Sequence, residues 1–213
     1  KFVRNNLEQR LTASVGLDWY LMDDLSLSVD ASHFSINNHN SSFNRAYRVG
    51  SNTGPLRTGR EAAVSLSRLL RNQLTGTLNY SKKIKDHNIN ALVGAEYYKD
   101  NSFSTSAGTR NSPTDLIETL NAGAEANGIP SSFESEYVLT SAFARLLYDY
   151  DDRYLFGFTF RQDGTSRLGT NKFGFFPGVS LGWNAHNEDF FEDSSLSNVV
   201  SKLKPRLSYG VNG

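Results

Sequence analysis

A strict alternation between apolar and polar side chains is the feature that most constrains this chain of 213 residues. The clearest example carries an aromatic side chain at every second position, namely Tyr154, Phe156, Phe158 and Phe160. The positions between them are mostly small or polar. Successive side chains of a β-strand point to opposite faces, so a period of two predicts a strand with one dry face. We therefore predict an all-β fold.

The same period recurs along nearly the whole chain and predicts about eight antiparallel strands. These cover residues 11–21, 25–31, a run ending at 80, and residues 89–97, 137–148, 154–160, 175–183 and 203–209. The fifth strand is apolar on both faces, so its facing is ambiguous. Pro205 lacks a donor for the hydrogen-bond ladder, which indicates a bulge or the start of the last strand.

Strand length and connection length favour a membrane barrel over a soluble β-sandwich, which alternates in the same way. Several runs have about 10 residues, the length of a tilted transmembrane strand, whereas sandwich strands have about 5 or 6. Aromatic residues such as Trp19, Tyr97 and Trp183 lie near the strand ends, as in outer-membrane barrels. Short connections at 22–24, 84–87 and 149–152 alternate with long ones at 37–61, 104–134 and 163–174. The connection at 185–201 is an exception, because it is long where a short one is expected.

An open sheet of eight strands would be unstable in lipid. Its two edge strands would each expose about five ladder groups, and at several kcal/mol per group the cost reaches tens of kcal/mol. Typical domains have only about 5–15 kcal/mol of net stability. The sheet must either close or be completed by further chain. Both chain ends are predicted on the extracellular side, and Lys1 follows no signal segment, so we expect a segment of a longer exported protein. The alternative is an autonomous eight-stranded barrel that acts as an adhesin or membrane anchor.

The composition argues against several other functions. The 22 basic and 22 acidic residues cancel, whereas a nucleic-acid surface would carry a basic excess. The chain has no cysteine, which excludes disulfides and thiolate catalysis in this segment. No catalytic triad or phosphate-binding loop is recognisable, so we expect neither an enzyme nor a cofactor site. We predict no metal site, because the four histidines lack metal-ligand spacing: His33, His39, His87 and His186.

The stretch from Phe160 to Trp183, FRQDGTSRLGTNKFGFFPGVSLGW, is the most specific motif in the chain. It resembles the strand, loop and strand signature of the SusC/RagA family of TonB-dependent outer-membrane transporters. The signature residues that match the family are Arg161, Asp163, Gly164, Ser166, Arg167, Gly169, Gly174, Phe176, Pro177, Gly182 and Trp183, followed by Tyr209 and Gly210.

The resemblance implies a plugged barrel of roughly 22 strands that crosses the bacterial outer membrane many times and contacts its lipids. It further implies a SusD-type surface lipoprotein that delivers glycans or peptides, and a TonB complex that drives import through a plug region absent from this chain. Residues 1–213 are accordingly predicted to be part of the barrel domain. The plug, the signal peptide and the remaining strands are expected to lie outside them.

Two segments have predicted local roles. Around the signature loop, we predict that Asp163 caps backbone amides, that Gly164 adopts positive φ, and that Arg161 or Arg167 pairs with acids on neighbouring strands. Ser112 is predicted to cap a short helix that begins at Pro113 and ends at Gly123.

The aromatic residues of the long connections are candidates for contact with a ligand or partner, by stacking on sugar rings or packing against a lipoprotein. The alternative is that each anchors its own loop. These residues are Phe43, Tyr47, Phe103 and Phe133.

Overall fold

The computed structural model describes residues 2–50, 53–167, 172–194 and 199–212, and most of them lie in β-strands. Eight longer strands are β1 (Phe2–Met22), β2 (Leu25–Asn44), β5 (Glu61–Ile84), β6 (His87–Arg110), β8 (Ser131–Tyr150), β9 (Tyr154–Thr165), β10 (Phe173–Trp183) and β11 (Arg206–Gly210). Three two-residue strands are β3 (Tyr47–Arg48), β4 (Leu56–Arg57) and β7 (Glu125–Ala126). The prediction of an all-β chain with about eight strands is confirmed.

The eight longer strands form one sheet in the order β1-β2-β5-β6-β8-β9-β10-β11. Each long strand therefore pairs with the next long strand along the chain, as in a meander. β7 pairs with β6, and β3 and β4 form a separate two-stranded sheet. In the described part of the chain β1 and β11 have a neighbour on one side only, and their side chains are almost all exposed.

Most strands are far longer than the 10 residues expected from the alternating pattern. β5 and β6 have 24 residues each, and β1 has 21. The prediction missed the outer parts of these strands because the alternation is weaker there. In the run NNHNSS from Asn37, which remains in β2, both faces are polar. The third strand likewise ends at Ile84 rather than at Tyr80.

The strand register resolves the ambiguous facing of β8. Leu146 is paired with Phe158, and Phe158 is paired with Val179 of β10. We call this side the apolar face; it includes Ala142, Ala144, Leu146 and Tyr148 of β8. The opposite side, the polar face, carries Phe143, Arg145 and Leu147 of β8 beside Arg161, Thr159 and Gly157 of β9.

The predicted tight turns are confirmed at residues 23–24, 85–86 and 151–153. Lys85, Asp151 and Asp152 have positive φ, the left-handed conformation that tight turns require. The connection after Trp183 is long, which confirms the exception to the alternation of short and long connections. It contains a 3₁₀ turn at Ala185–Asn187 and the four-residue helix α1 (Asp189–Glu192). β11 begins at Arg206, directly after Pro205, which confirms that this proline precedes a strand start.

Two local predictions are wrong. Asp163 and Gly164 do not form a turn, because β9 continues to Thr165 and both residues pair with β8 and β10. Positive φ occurs at Gly50 and Gly128 among the described glycines, not at Gly164. No helix follows Ser112 either, where the described chain contains only a 3₁₀ turn at Leu120–Ala122.

The chain divides into two compact units. Unit 1 comprises Lys1–Ala13, His33–Asn72 and Lys99–Glu136; unit 2 comprises Ser14–Ser32, Gln73–Tyr98 and Tyr137–Gly213. Unit 2 contains the tight turns and the signature strands β9 and β10. Unit 1 contains β3, β4 and β7. None of the described helices is long and apolar enough to cross a membrane.

Candidate functional site

Most of the signature residues lie on β9 and β10 of unit 2. Arg161 pairs with Phe176, and Asp163 pairs with Gly174, so these four share the polar face. Pro177 and Trp183 lie on the apolar face, opposite Phe160 and Tyr154 respectively. Ser166 and Arg167 follow β9, and Tyr209 and Gly210 lie in β11. Gly169 lies outside the described residues.

Arg161 is the centre of a hydrogen-bonded network on the polar face. Its Nε donates to both carboxylate oxygens of Asp163, at 2.7 and 2.9 Å, and its Nη2 donates to Ser141 Oγ at 2.9 Å. Glu96 Oε2 of β6 lies 3.6 Å from Nη2. The guanidinium carbon also lies 5.7 Å from the centre of the Phe143 ring. Arg161 therefore pairs with an acid, as predicted, but Glu96 lies on β6, two strands away, and not on a strand that neighbours β9.

Asp163 has a different role from the one predicted. Its carboxylate accepts from Arg161 and not from backbone amides of a turn. Glu96 is also held by Gln73, whose Nε2 donates to Glu96 Oε1 at 3.0 Å. The network therefore links β5, β6, β8 and β9 on one face. The guanidinium of Arg161 is paired with the carboxylates of Asp163 and Glu96. This arrangement braces a polar wall and provides no nucleophile with an adjacent base.

The signature glycines leave room for aromatic side chains of nearby positions. A Cβ atom at Gly164 would lie 2.7 Å from the ring of Phe173, and one at Gly174 would lie 2.6 Å from the ring of Phe176. Real Cβ atoms do not approach that closely, so any larger residue would displace a ring. Close packing, rather than positive φ, explains glycine at both positions.

Ser166 and Arg167 attach the end of β9 to the start of the neighbouring strand. Val138 N donates to Ser166 Oγ, and Ser166 N donates to Val138 O, both at 3.0 Å. The Arg167 guanidinium lies 4.4 Å from the centre of the Tyr137 ring, a cation–π geometry. Tyr98 meets Tyr137 edge to face at 5.9 Å. Arg167 therefore stacks on an aromatic ring instead of pairing with the acid that the sequence predicted.

Glu188 anchors the long connection after β10. Sequence analysis did not detect this role of Glu188. Its Oε1 accepts from Trp183 Nε1 at 2.9 Å, and its Oε2 accepts from Arg153 Nη1 at 3.2 Å. Arg153 also contacts Asp151 at 3.1 Å and Asp189 at 3.2 Å. The connection is packed as well as charge-paired, since Phe191 of α1 is only 4% exposed. These contacts give the signature residue Trp183 a structural role as a hydrogen-bond donor.

The contacts of Glu188 make this anchor sensitive to pH. Hydrogen bonds from Trp183 and from Tyr154, together with the charge of Arg153, hold the pKa of the Glu188 carboxyl below its ordinary value. A depressed folded-state pKa stabilises the fold above the ordinary pKa of about 4.3. That contribution is lost as the pH falls through the lower folded-state pKa, when the carboxylate takes up a proton.

We predict that Glu188→Gln makes the stability of this connection less dependent on pH in the acid range. The hydrogen-exchange protection of residues 184–194 in the purified protein, measured relative to the intrinsic exchange rate at each pH, should fall steeply between about pH 5 and pH 3. It should fall less in Glu188→Gln, which is already less protected at pH 7. Asp193→Asn is the matched control, because Asp193 is an exposed carboxylate of the same segment. Equal pH profiles for Glu188→Gln and the wild type would contradict this role.

In unit 1 an acidic residue ties two connections together. Asp115 Oδ1 accepts from Arg60 Nε at 2.6 Å and from the backbone N–H of Ala46 at 2.9 Å. The hydrogen bond from Arg60 and that from Ala46 lower the pKa of Asp115. Glu118 of the same segment accepts from Nη2 of Arg45 at 2.6 Å. The residues predicted as a helix therefore form an irregular brace whose acids contact an earlier connection. A predicted helix of about ten residues is too short to be stable by itself and could not compete with these long-range pairs.

The four aromatic candidates for ligand contact occupy different environments. Phe43 lies in β2 and is 1% exposed, so it packs inside unit 1 and presents no surface to a ligand. Phe103 and Phe133 lie in β6 and β8 rather than in loops. Both are exposed, as is Tyr47 of β3. Contact of Tyr47, Phe103 or Phe133 with a ligand stays a prediction.

Three of the histidines contact hydrogen-bonding groups in the described chain. His33 lies 2.7 Å from Asn72 Oδ1, His87 lies 2.7 Å from Tyr148 Oη, and His186 lies 3.0 Å from the Leu203 carbonyl. Among the described residues, no three His, Cys, Asp or Glu side chains cluster in a way that would hold a metal ion.

Long antiparallel strands with an apolar face and a charge-paired polar face define the wall of an outer-membrane β-barrel. Comparison with known proteins agrees with the prediction from the sequence: the chain is similar to TonB-dependent receptors, including a SusC receptor, and has the fold of a segment of a bacterial outer-membrane barrel. These relatives are receptors and transporters, in agreement with the prediction that the segment is not an enzyme. No family model matches the chain.

The similarity is seen with two curated relatives and with one solved structure. The chain is 37% identical over 138 residues to a TonB-dependent receptor of Formosa agariphila, covering 64% of this chain and 14% of the relative. It is 43% identical over 84 residues to the TonB-dependent receptor SusC of Bacteroides thetaiotaomicron, covering 39% of this chain and 8% of that receptor. The RagAB peptide transporter structure superimposes with a TM-score of 0.82 at 24% identity, over 97% of this chain and 23% of the other, and shows the same fold.

Proposed function

We propose that this chain is a wall segment of the barrel domain of a TonB-dependent importer. Two observations support this proposal together. In the described chain, the outer strands β1 and β11 of the sheet have one neighbour each. The chain is also similar to receptors that are about seven times longer than the matched part. Ladder groups of β1 and β11 that stayed unpaired in lipid would cost tens of kcal/mol. Further strands of the same protein, outside residues 1–213, pair with them.

The proposed cargo is a glycan or a peptide, received from a SusD-type surface lipoprotein. Two similarities support this cargo: one relative is the receptor SusC, and a solved structure with the same fold is a peptide transporter. The TonB complex acts on a plug region outside residues 1–213. This segment contributes a rigid polar wall, because the network of Arg161 and Glu96 occupies its charged groups with one another.

Uptake by the intact protein tests this proposal. We expect deletion of the encoding gene to abolish growth on one class of glycan or peptide as sole carbon source, and the complete gene to restore it. A version that lacks the TonB-contacting segment should reach the outer membrane without restoring growth. Unchanged growth on every glycan and peptide tested, together with a loss of surface adhesion, would favour an adhesin. A signal peptide encoded directly before Lys1 would also contradict the proposal.

A further inference from the structure

A polar boundary ends the apolar run on three neighbouring strands. On β2 the alternating apolar positions stop at Ala31, and the next position on that side is His33. On β5 the corresponding positions after Leu74 are Asn72, Leu70 and Arg68. His33 Nδ1 and Asn72 Oδ1 are 2.7 Å apart. In unit 1, Lys99 of β6 forms an ion pair with Glu136 at 2.9 Å. Polar side chains at the end of an apolar band are typical of the interface between hydrocarbon and lipid head groups.

Arg68 lies in a groove of unit 1 with a volume of about 280 Å³. The groove has two kinds of lining, apolar side chains and hydrogen-bonding side chains. The apolar ones are Leu7, Leu66 and Phe103, which are 54%, 42% and 43% exposed. The polar ones are Arg68, His39 and Gln9, which are exposed, together with Asn37, Asn38 and Ser67. A ligand that fits this surface has an apolar part and an anionic part.

The guanidinium of Arg68 has no carboxylate partner among the described residues. Several other arginines of unit 1 do have one: for example, Arg71 donates to both carboxylate oxygens of Asp100, at 2.8 and 3.1 Å, and Arg60 pairs with Asp115. The residues nearest Arg68 in the groove are apolar, amide, hydroxyl or imidazole, and none is acidic. An arginine in such surroundings has free N–H donors in the fork geometry that binds phosphate oxygens in pairs.

Arg68 lies near the outer boundary of the lipid head-group layer. Arg68 lies four residues beyond Asn72, which is about 13 Å along a strand and about 10 Å along the membrane normal at a typical barrel tilt. Head-group layers are about 5–8 Å thick on each side of the hydrocarbon. The backbone of Arg68 therefore lies a few Å outside this layer, and the long side chain reaches a phosphate in it while its methylene groups cover apolar surface. We infer that the groove around Arg68 binds a phosphorylated lipid head group of the outer leaflet, with Arg68 contacting the phosphate.

Lipid retention by the full-length receptor tests this inference. The detergent-purified protein is titrated with diphosphorylated lipid A, and bound lipid is measured by native mass spectrometry. We expect Arg68→Ala to weaken binding about tenfold, as expected for the loss of charge-assisted hydrogen bonds. Arg10→Ala is the matched control, because Arg10 is an exposed arginine of unit 1 that pairs with Glu8 and lies on the opposite face of β1 from Leu7. It should bind as the wild type does.

Two further probes distinguish the sources of phosphate. Fully dephosphorylated lipid A should bind about as weakly to the wild type as diphosphorylated lipid A binds to Arg68→Ala. Inorganic phosphate at the same concentration should not displace the lipid, because it lacks the apolar part that the groove accepts. Each of three results would overturn the inference. The wild type could bind both lipids equally, diphosphorylated lipid A could bind equally to Arg68→Ala and to the wild type, or inorganic phosphate could displace the lipid. Import of cargo is not measured, so the outcome does not depend on the proposed transport function.

Discussion

Phe158→Arg should destabilise the protein by about 2–4 kcal/mol and impair its insertion into the outer membrane, the cost of an arginine on a lipid-facing strand near the midplane. Phe158 lies on the apolar face between Leu146 of β8 and Val179 of β10. No carboxylate occupies either of these neighbouring positions, so the guanidinium would enter lipid unpaired. The free energy of unfolding from lipid vesicles and the amount of heat-modifiable protein in outer-membrane fractions measure the effect.

Thr159→Arg is the matched control for that substitution. Thr159 is the next residue of β9, it lies on the polar face, and it is exposed. The same guanidinium placed there should cost less than about 1 kcal/mol, because it stays in water and meets only the like charge of Arg145 on the opposite position of β8. If Phe158→Arg folded normally and stayed soluble without detergent, the aromatic face would not contact lipid, and the membrane assignment would be wrong.

Gly94→Ala should destabilise the protein by about 1–3 kcal/mol, the usual cost of an added methyl group in a packed site. A Cβ atom at Gly94 would lie 2.5 Å from the ring of Phe143 and 2.9 Å from the backbone oxygen of Gly76. The ring can rotate away, but the carbonyl belongs to the neighbouring strand and can move only with it. The expected consequence is a lower free energy of unfolding for the whole receptor.

Gly76→Ala provides the comparison, since a Cβ atom there would meet nothing within 4 Å. It should be neutral or slightly stabilising, because alanine loses less backbone entropy on folding than glycine does. Equal unfolding free energies for Gly94→Ala and the wild type would show that the Phe143 ring and the β5 backbone are not tightly packed against β6.

The short connections were the easiest feature to predict correctly. Residues 23–24 and 85–86 carry strong turn chemistry between two alternating runs, and the backbone there needs few partners from elsewhere. The pair Asp163 and Gly164 has the same chemistry and misled the prediction. Both residues pair with β8 on one side and β10 on the other, and Asp163 also binds Arg161. Ladder hydrogen bonds from two neighbours outweighed a local turn preference.

The anchors of the connections could not be predicted because their partners are distant in sequence. Asp115 binds Arg60 across 55 positions, and Arg153 binds Glu188 across 35 positions. Sequence can indicate a charge partner three or four residues away in a helix, or directly opposite in a hairpin. The pairs Arg60–Asp115 and Arg153–Glu188 are of neither kind. The only local signal was the acidic pair at Glu188 and Asp189 directly before two phenylalanines.

The amino-acid sequence by itself determined the strand character, the position of the tight turns and the aromatic side of β9 and β10. These are properties of a two-residue period and of turn residues, which act locally. The tertiary structure decided where the strands end, which side of β8 is apolar and which charges meet. Those outcomes depend on backbone and side-chain partners from other strands, because a polar segment such as residues 37–44 stays extended only when a neighbouring strand satisfies its hydrogen bonds.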